Sequence, residues 1–117
     1  MNNTNDTITL AEGKAWTKAW RERNPNAECR AFLIPKKDLT GLLTEDIDAV
    51  RAYMAYGPNE SGVKEDKLVI VGTKLDPKTG VQVDMLPDPT LAVGNGNNIY
   101  DFTTPCPPVC DPKSDLN

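Results

Sequence analysis

The stretch Lys67–Leu75, KLVIVGTKL, limits what this chain can fold into more than any other. In extended backbone Leu68 and Ile70 face one side, while Val69, Val71 and Leu75 face the other. A strand apolar on both faces is covered on both faces. The stretch therefore predicts the central strand of a small α+β domain. Two short helices suffice for one side of so small a sheet. Covering the other side calls for the segment around Ile99–Phe102 or a second copy of the chain.

The rest of the chain supplies that frame. Thr9-Leu-Ala-Glu12 fits a capping box, with Ile8 as a staple, and predicts a helix over 10–23 that Asn24-Pro25 ends. Ala15, Trp16, Ala19 and Trp20 share one face of it and Lys14, Lys18, Arg21 and Glu22 the other. The two tryptophans are expected to dock this helix on the sheet, a ligand-stacking surface being the alternative. Residues 30–34, RAFLI, read as a strand. Pro35 then opens a helix over 36–43, in which Leu39, Leu42 and Leu43 recur at helical spacing and Gly41 weakens the run. Residues 49–56 alternate like a strand, with helix as the competing assignment. A loop over 57–66 leads into the central strand at 67–75. Asp76-Pro77-Lys78-Thr79-Gly80 is a tight hairpin turn, with Pro where φ is negative and Gly where it is positive. Residues 81–86 return as a strand. Strands 49–56, 67–75 and 81–86 form an antiparallel meander, and 30–34 joins the same sheet through the Leu-rich helix.

Composition changes after Leu86. Six of the ten prolines lie beyond it. The region 1–86 reads as the compact domain and 87–117 as an acidic, Pro/Gly/Asn-rich tail, partly docked, with Ile99, Tyr100 and Phe102 as its anchor. The net charge of −4 is concentrated there, where only Lys113 faces Asp88, Asp101, Asp111 and Asp115. Neither part clusters Lys and Arg as a nucleic-acid site requires. Histidine is absent, which removes the commonest general base and metal ligand. No cofactor fingerprint is present: Gly94-Asn95-Gly96 lacks the remainder of a phosphate loop. The acidic group Glu45, Asp46 and Asp48 reads as a solvated loop. No apolar run spans a bilayer and the first residues carry no signal-peptide pattern, so the cytoplasm is the favoured compartment.

The only dense chemical motif is Cys106-Pro107-Pro108-Val109-Cys110. It admits a thiol-redox pair, a two-thiolate metal site, or a structural loop. In polyproline II, four steps separate the two Cα atoms by roughly 12 Å, whereas a disulfide requires about 4.4–6.8 Å. The sulfurs meet only if a turn, or a cis bond at Pro107 or Pro108, folds the loop back. Nearby Asp101 and Asp111 would raise the thiol pKa values, against a reactive nucleophile. Two thiolates alone serve zinc poorly. The structural reading is favoured, and Cys29 is expected to be a small half-buried residue.

Two stretches, YMAYGPNESGVKEDKLVIVG (residues 53–72) and IYDFTTPCPPVC (residues 99–110), resemble a group of small uncharacterised bacterial proteins that end in a C-P-P-x-C segment. The resemblance implies strand over 49–56 and brings no activity, ligand or partner. The leading functional expectation is a non-catalytic interaction or structural protein that engages a partner protein or associates with itself. The alternative is a thiol-redox or sensor protein using Cys106 and Cys110.

Overall fold

The computed structural model describes residues 6–87, 97–101 and 103–117. The chain is α+β, with two helices and five strands in two antiparallel sheets among the described residues. In order these are α1 (Leu10–Arg23), β1 (Ala31–Leu33), α2 (Lys36–Leu43), β2 (Ala49–Pro58), β3 (Lys64–Leu75), β4 (Gln82–Asp84) and β5 (Thr104–Cys106). Strands β2, β3 and β4 form the meander, and β1 pairs with β5 alone.

Local chemistry sets the element ends. Thr9 Oγ1 accepts from the Glu12 N–H at 3.1 Å, and Glu12 Oε1 accepts from the Thr9 N–H at 3.0 Å, which satisfies two helix-start donors of α1. Between β3 and β4, the amide of Gly80 donates to Asp76 O at 2.8 Å, with Gly80 at φ +75°. The loop between β2 and β3 is shorter than expected because both strands run further. Asn59 closes it: its Oδ1 accepts from the amides of Ser61 and Val63 at 2.9 and 3.0 Å.

β3 is hydrogen-bonded along both edges. Ten residues of β2 pair with it on one side, from Ala49↔Thr73 to Pro58↔Lys64. The other edge is filled in pieces. β4 takes Thr73–Leu75, the Met85 amide donates to Gly72 O, and Tyr100 exchanges both backbone bonds with Ile70 at 2.9 Å. The Thr103 hydroxyl then bridges Leu68, accepting from its N–H at 2.9 Å and donating to its C=O at 3.1 Å. The C-terminal segment thus completes an edge of β3 rather than covering a face. The outer edge of β2 has no strand partner among the described residues.

The two faces of β3 are covered differently. On the Ile70 face, α2 and Ile47 lie across the strand. A Cβ at Gly72 would overlap Ile47 Cγ2, and one at Gly41 would lie 2.8 Å from the Tyr100 hydroxyl oxygen. Leu42 and Ile70 are buried there. On the other face Val71 is 1% exposed. Arg51 stands directly across from Val71 on β2, yet its guanidinium bonds Gln82 O at 3.0 Å and Asp84 Oδ1 on β4. The Tyr53 hydroxyl reaches Asp84 as well. Because β3 lies between β2 and β4, these side chains must cross it, and their stems roof Val71 and Thr73. Among the described residues, cross-strand side chains of the same sheet cover Val71, where the Ile99–Phe102 region or a second copy was expected. Leu75, at the end of the strand, stays 46% exposed.

Residues 30–34 do not join the meander. β1 is paired with β5 instead, in the register Ala31↔Cys106, Phe32↔Pro105, Leu33↔Thr104. Tyr100 and Thr103 already occupy the edge of β3 at Ile70 and Leu68. The continuation of that segment then offers β1 a free neighbour. The tryptophans of α1 do not dock on the meander either. Trp16 is 59% and Trp20 43% exposed, and no residue of α1 is buried. The helix is held instead by the C-terminal segment: Arg21 donates to Leu116 O at 2.8 Å, and Leu116 lies against Gly13.

Candidate functional site

Because α1 stands off from the β1–β5 sheet, a groove of about 600 Å³ opens between them. Trp16, Thr17, Trp20 and Arg21 of α1 form one wall. Ala31, Phe32 and Leu33 of β1, preceded by Arg30, form the floor. Cys106, Val109 and Cys110 close one end, with Asp111, Ser114, Leu116 and Asn117 of the C-terminal segment. The spacing of Trp16 and Trp20 puts both rings on one helical face, and among the described residues nothing buries that face. The indoles are therefore left as the apolar wall of an open site.

Cys106 and Cys110 lie at disulfide distance, with their Cα atoms 4.9 Å apart. Both the Cys106–Pro107 and Pro107–Pro108 peptide bonds are cis, which meets the condition for folding the loop back. Cys106 sits in β5 and is 5% exposed, whereas Cys110 is half-buried. Cys29 is a free, half-buried thiol that donates to Ala31 O at 3.3 Å.

Arg30 links the parts of the groove. Its amide donates to Cys106 O at 2.8 Å, its Nε to Asn117 Oδ1 at 2.8 Å, and its terminal Nη2 lies 3.9 Å from Cys110 Sγ. The sequence neighbours of the cysteines suggest an acidic environment. The fold instead brings a guanidinium to Cys110 from the far end of the chain. No local signal marks Arg30, and only the β1–β5 pairing puts it there.

The other sequence candidates fall elsewhere. Tyr100 lies beside α2 and donates to Glu45 Oε2 at 2.6 Å. Burial first, then the Glu45 bond and charge, hold its phenol above the ordinary value. Ile99 is 49% exposed, and Phe102 lies outside the described residues, as does Gly94-Asn95-Gly96. The acidic group lies in the exposed loop after α2, as expected, and its side chains also bond across it: besides Glu45, Asp46 pairs with Lys74, and Asp48 Oδ2 accepts from the Leu75 amide at 2.7 Å. On the opposite face of the meander, Asp84 is held below the usual carboxylate range, chiefly by the Tyr53 hydroxyl and then by Arg51. That bond in turn raises the Tyr53 phenol. Among the described residues no group of three or more Cys, Asp or Glu side chains is placed to hold a metal. Nor is any described helix long and apolar enough to cross a membrane.

A second cleft, of about 550 Å³, lies on the other side of the cystine loop, between Pro58–Ser61 on one side and Asp101, Thr103, Thr104 and Pro105 on the other. Val109 borders both clefts, so the loop is the partition between them. Comparison with family models, curated proteins and solved structures finds no match to this chain, and the resemblance carried by residues 53–72 and 99–110 gains no support there.

Proposed function

We propose that this is a non-catalytic interaction protein whose binding surface is the tryptophan-walled groove, and that the groove receives an apolar segment of a partner protein. The observation that carries the reading is the exposure of Trp16 and Trp20 opposite Phe32 and Leu33, with Arg21 and Arg30 at the rim. Trp and Arg are the residues that dominate binding energy when a partner desolvates them. A cleft of this volume lies within the ~300–1,000 Å³ range of ligand sites. An apolar wall with a few polar groups at its edge gives both affinity and orientation.

The test is selection of displayed peptides against the full chain. The reading expects binders whose affinity falls at least tenfold when Trp16 and Trp20 are both replaced by alanine, and is unchanged by Val83→Ala on the meander. Binders indifferent to the tryptophans, or none at all, would overturn it.

A thiol-redox or sensor protein is the second reading. The Arg30 guanidinium beside Cys110 favours it, because a cation stabilises a thiolate.

A further inference from the structure

We infer that the Cys106–Cys110 cystine is a thiol–disulfide exchange site whose substrate is a dithiol reductant, and that its redox state decides whether the groove is formed. The inference rests on the groove being the binding surface and adds its regulation. Three observations meet here. The cystine closes one end of the groove. Its two sulfurs differ in access, Cys106 being buried within β5 and Cys110 half-buried in the loop. Arg30 approaches Cys110 alone of the two sulfurs, and it also holds Asn117 of the same wall.

The exchange follows from that asymmetry. A thiolate of the reductant attacks the accessible Cys110 Sγ, forming a mixed disulfide. Cys106 Sγ leaves with the bonding electron pair and takes up a proton. The second thiolate of the reductant then attacks its own sulfur in the mixed disulfide, and Cys110 leaves as a thiolate. Two electrons pass to the cystine, and the reductant becomes an intramolecular disulfide. The protons shed by its thiols return to the two cysteines, less firmly to Cys110, whose thiolate the guanidinium stabilises.

Reduction removes the cross-link that closes the loop between Cys106 and Cys110. The two Cα atoms are held 4.9 Å apart in the oxidised chain. A Pro-Pro segment in its extended form separates them by roughly 12 Å. Val109 and Cys110 would then leave the end of the groove, exposing its indoles to water on that side, while Leu116 and Asn117 stay tied to Arg21 and Arg30.

The chain's two tryptophans both line the groove, so energy transfer from them to a bound apolar dye reports on this site. Anilinonaphthalene sulfonate is titrated into the full chain before and after dithiothreitol. Alkylation and mass mapping identify the thiols, and far-UV circular dichroism monitors the fold. Retained secondary structure with at least tenfold weaker dye affinity on reduction, recovered on reoxidation, is the expected result. The Cys106→Ser/Cys110→Ser variant should bind as weakly with or without reductant, and the wild-type redox cycle decides the matter if that variant does not fold. Equal or tighter dye binding by the reduced chain overturns the inference while leaving the groove intact. So does a cystine that the folded chain does not yield to dithiothreitol. Dye that receives no energy transfer in either state overturns the groove reading itself, and this inference with it.

Discussion

Replacing Gly72 with alanine tests the packing of the Ile70 face at a single atom. The new Cβ would overlap Ile47 Cγ2 and lie 3.3 Å from Ile47 Cβ. Gly72 has an ordinary negative φ, so the backbone accepts alanine without strain. Loss of glycine's freedom in the unfolded chain alone would stabilise the fold by ~0.4–1 kcal/mol. Against this stands overpacking, which costs ~1–3 kcal/mol. The upper part of that range applies, because Ile47 is β-branched and stiff at χ1, and its Cγ2 cannot swing away without moving the backbone. The net expectation is a loss of about 2 kcal/mol. With a urea m-value of ~2 kcal/mol/M, the midpoint of unfolding followed by circular dichroism falls by about 1 M. Ile47→Ala removes the offending methyl, so in that background Gly72→Ala should recover at least ~1 kcal/mol of its cost, a coupling that the double-mutant cycle isolates. A neutral or stabilising Gly72→Ala, or the same cost in both backgrounds, would refute the claim that Ile47 lies across β3 here.

Two further predictions concern the remaining cover of β3. Thr103→Val keeps the shape of the side chain but strands the N–H and C=O of Leu68, so hydrogen-bond bookkeeping gives a loss of ~2–3 kcal/mol, measurable by the same unfolding curves and by faster amide exchange at Leu68. Asp84 has its folded-state pKa depressed by Tyr53 and Arg51, so its contribution is present above the unfolded carboxylate pKa and is lost as pH falls through the folded value. Stability measured between neutral pH and pH 3 should therefore fall less steeply for Asp84→Asn than for the wild type, and an unchanged acid limb would count against the Arg51–Tyr53–Asp84 roof.

Much of the fold was legible because much of it is local. The capping box at Thr9–Glu12, the breaker at Asn24-Pro25 and the Asp76–Gly80 turn each act within a few residues, and each has one physical solution. The alternation over 49–56 correctly gives an edge strand of the meander. The apolar character of β3 on both sides is a true signal of burial. It does not specify the cover, since Val71 is equally dry under a helix or under the stem of Arg51. The same limit applies to Trp16 and Trp20: helical spacing places them together but is silent on whether anything packs against them. The cysteine motif states its own geometric condition. The arrival of Arg30 at Cys110 depends on a strand pairing between distant parts of the chain, for which β1 and β5 offer only three residues each. So short a strand carries no register information of its own.

The pairing of β1 with β5 also fixes an order of events while the chain is being made. β1 emerges early, but its strand partner among the described residues is Thr104–Cys106, and the edge of β3 beside Ile70 waits for the same segment. The meander of β2, β3 and β4 can close as soon as it is synthesised, because its contacts are short in sequence. The groove cannot, because its floor and its end wall are far apart in sequence, Arg30 and Cys110 by 80 residues. A nascent chain therefore forms its hairpin core before the walls of this groove can meet. The groove is in that sense the later of the two to form.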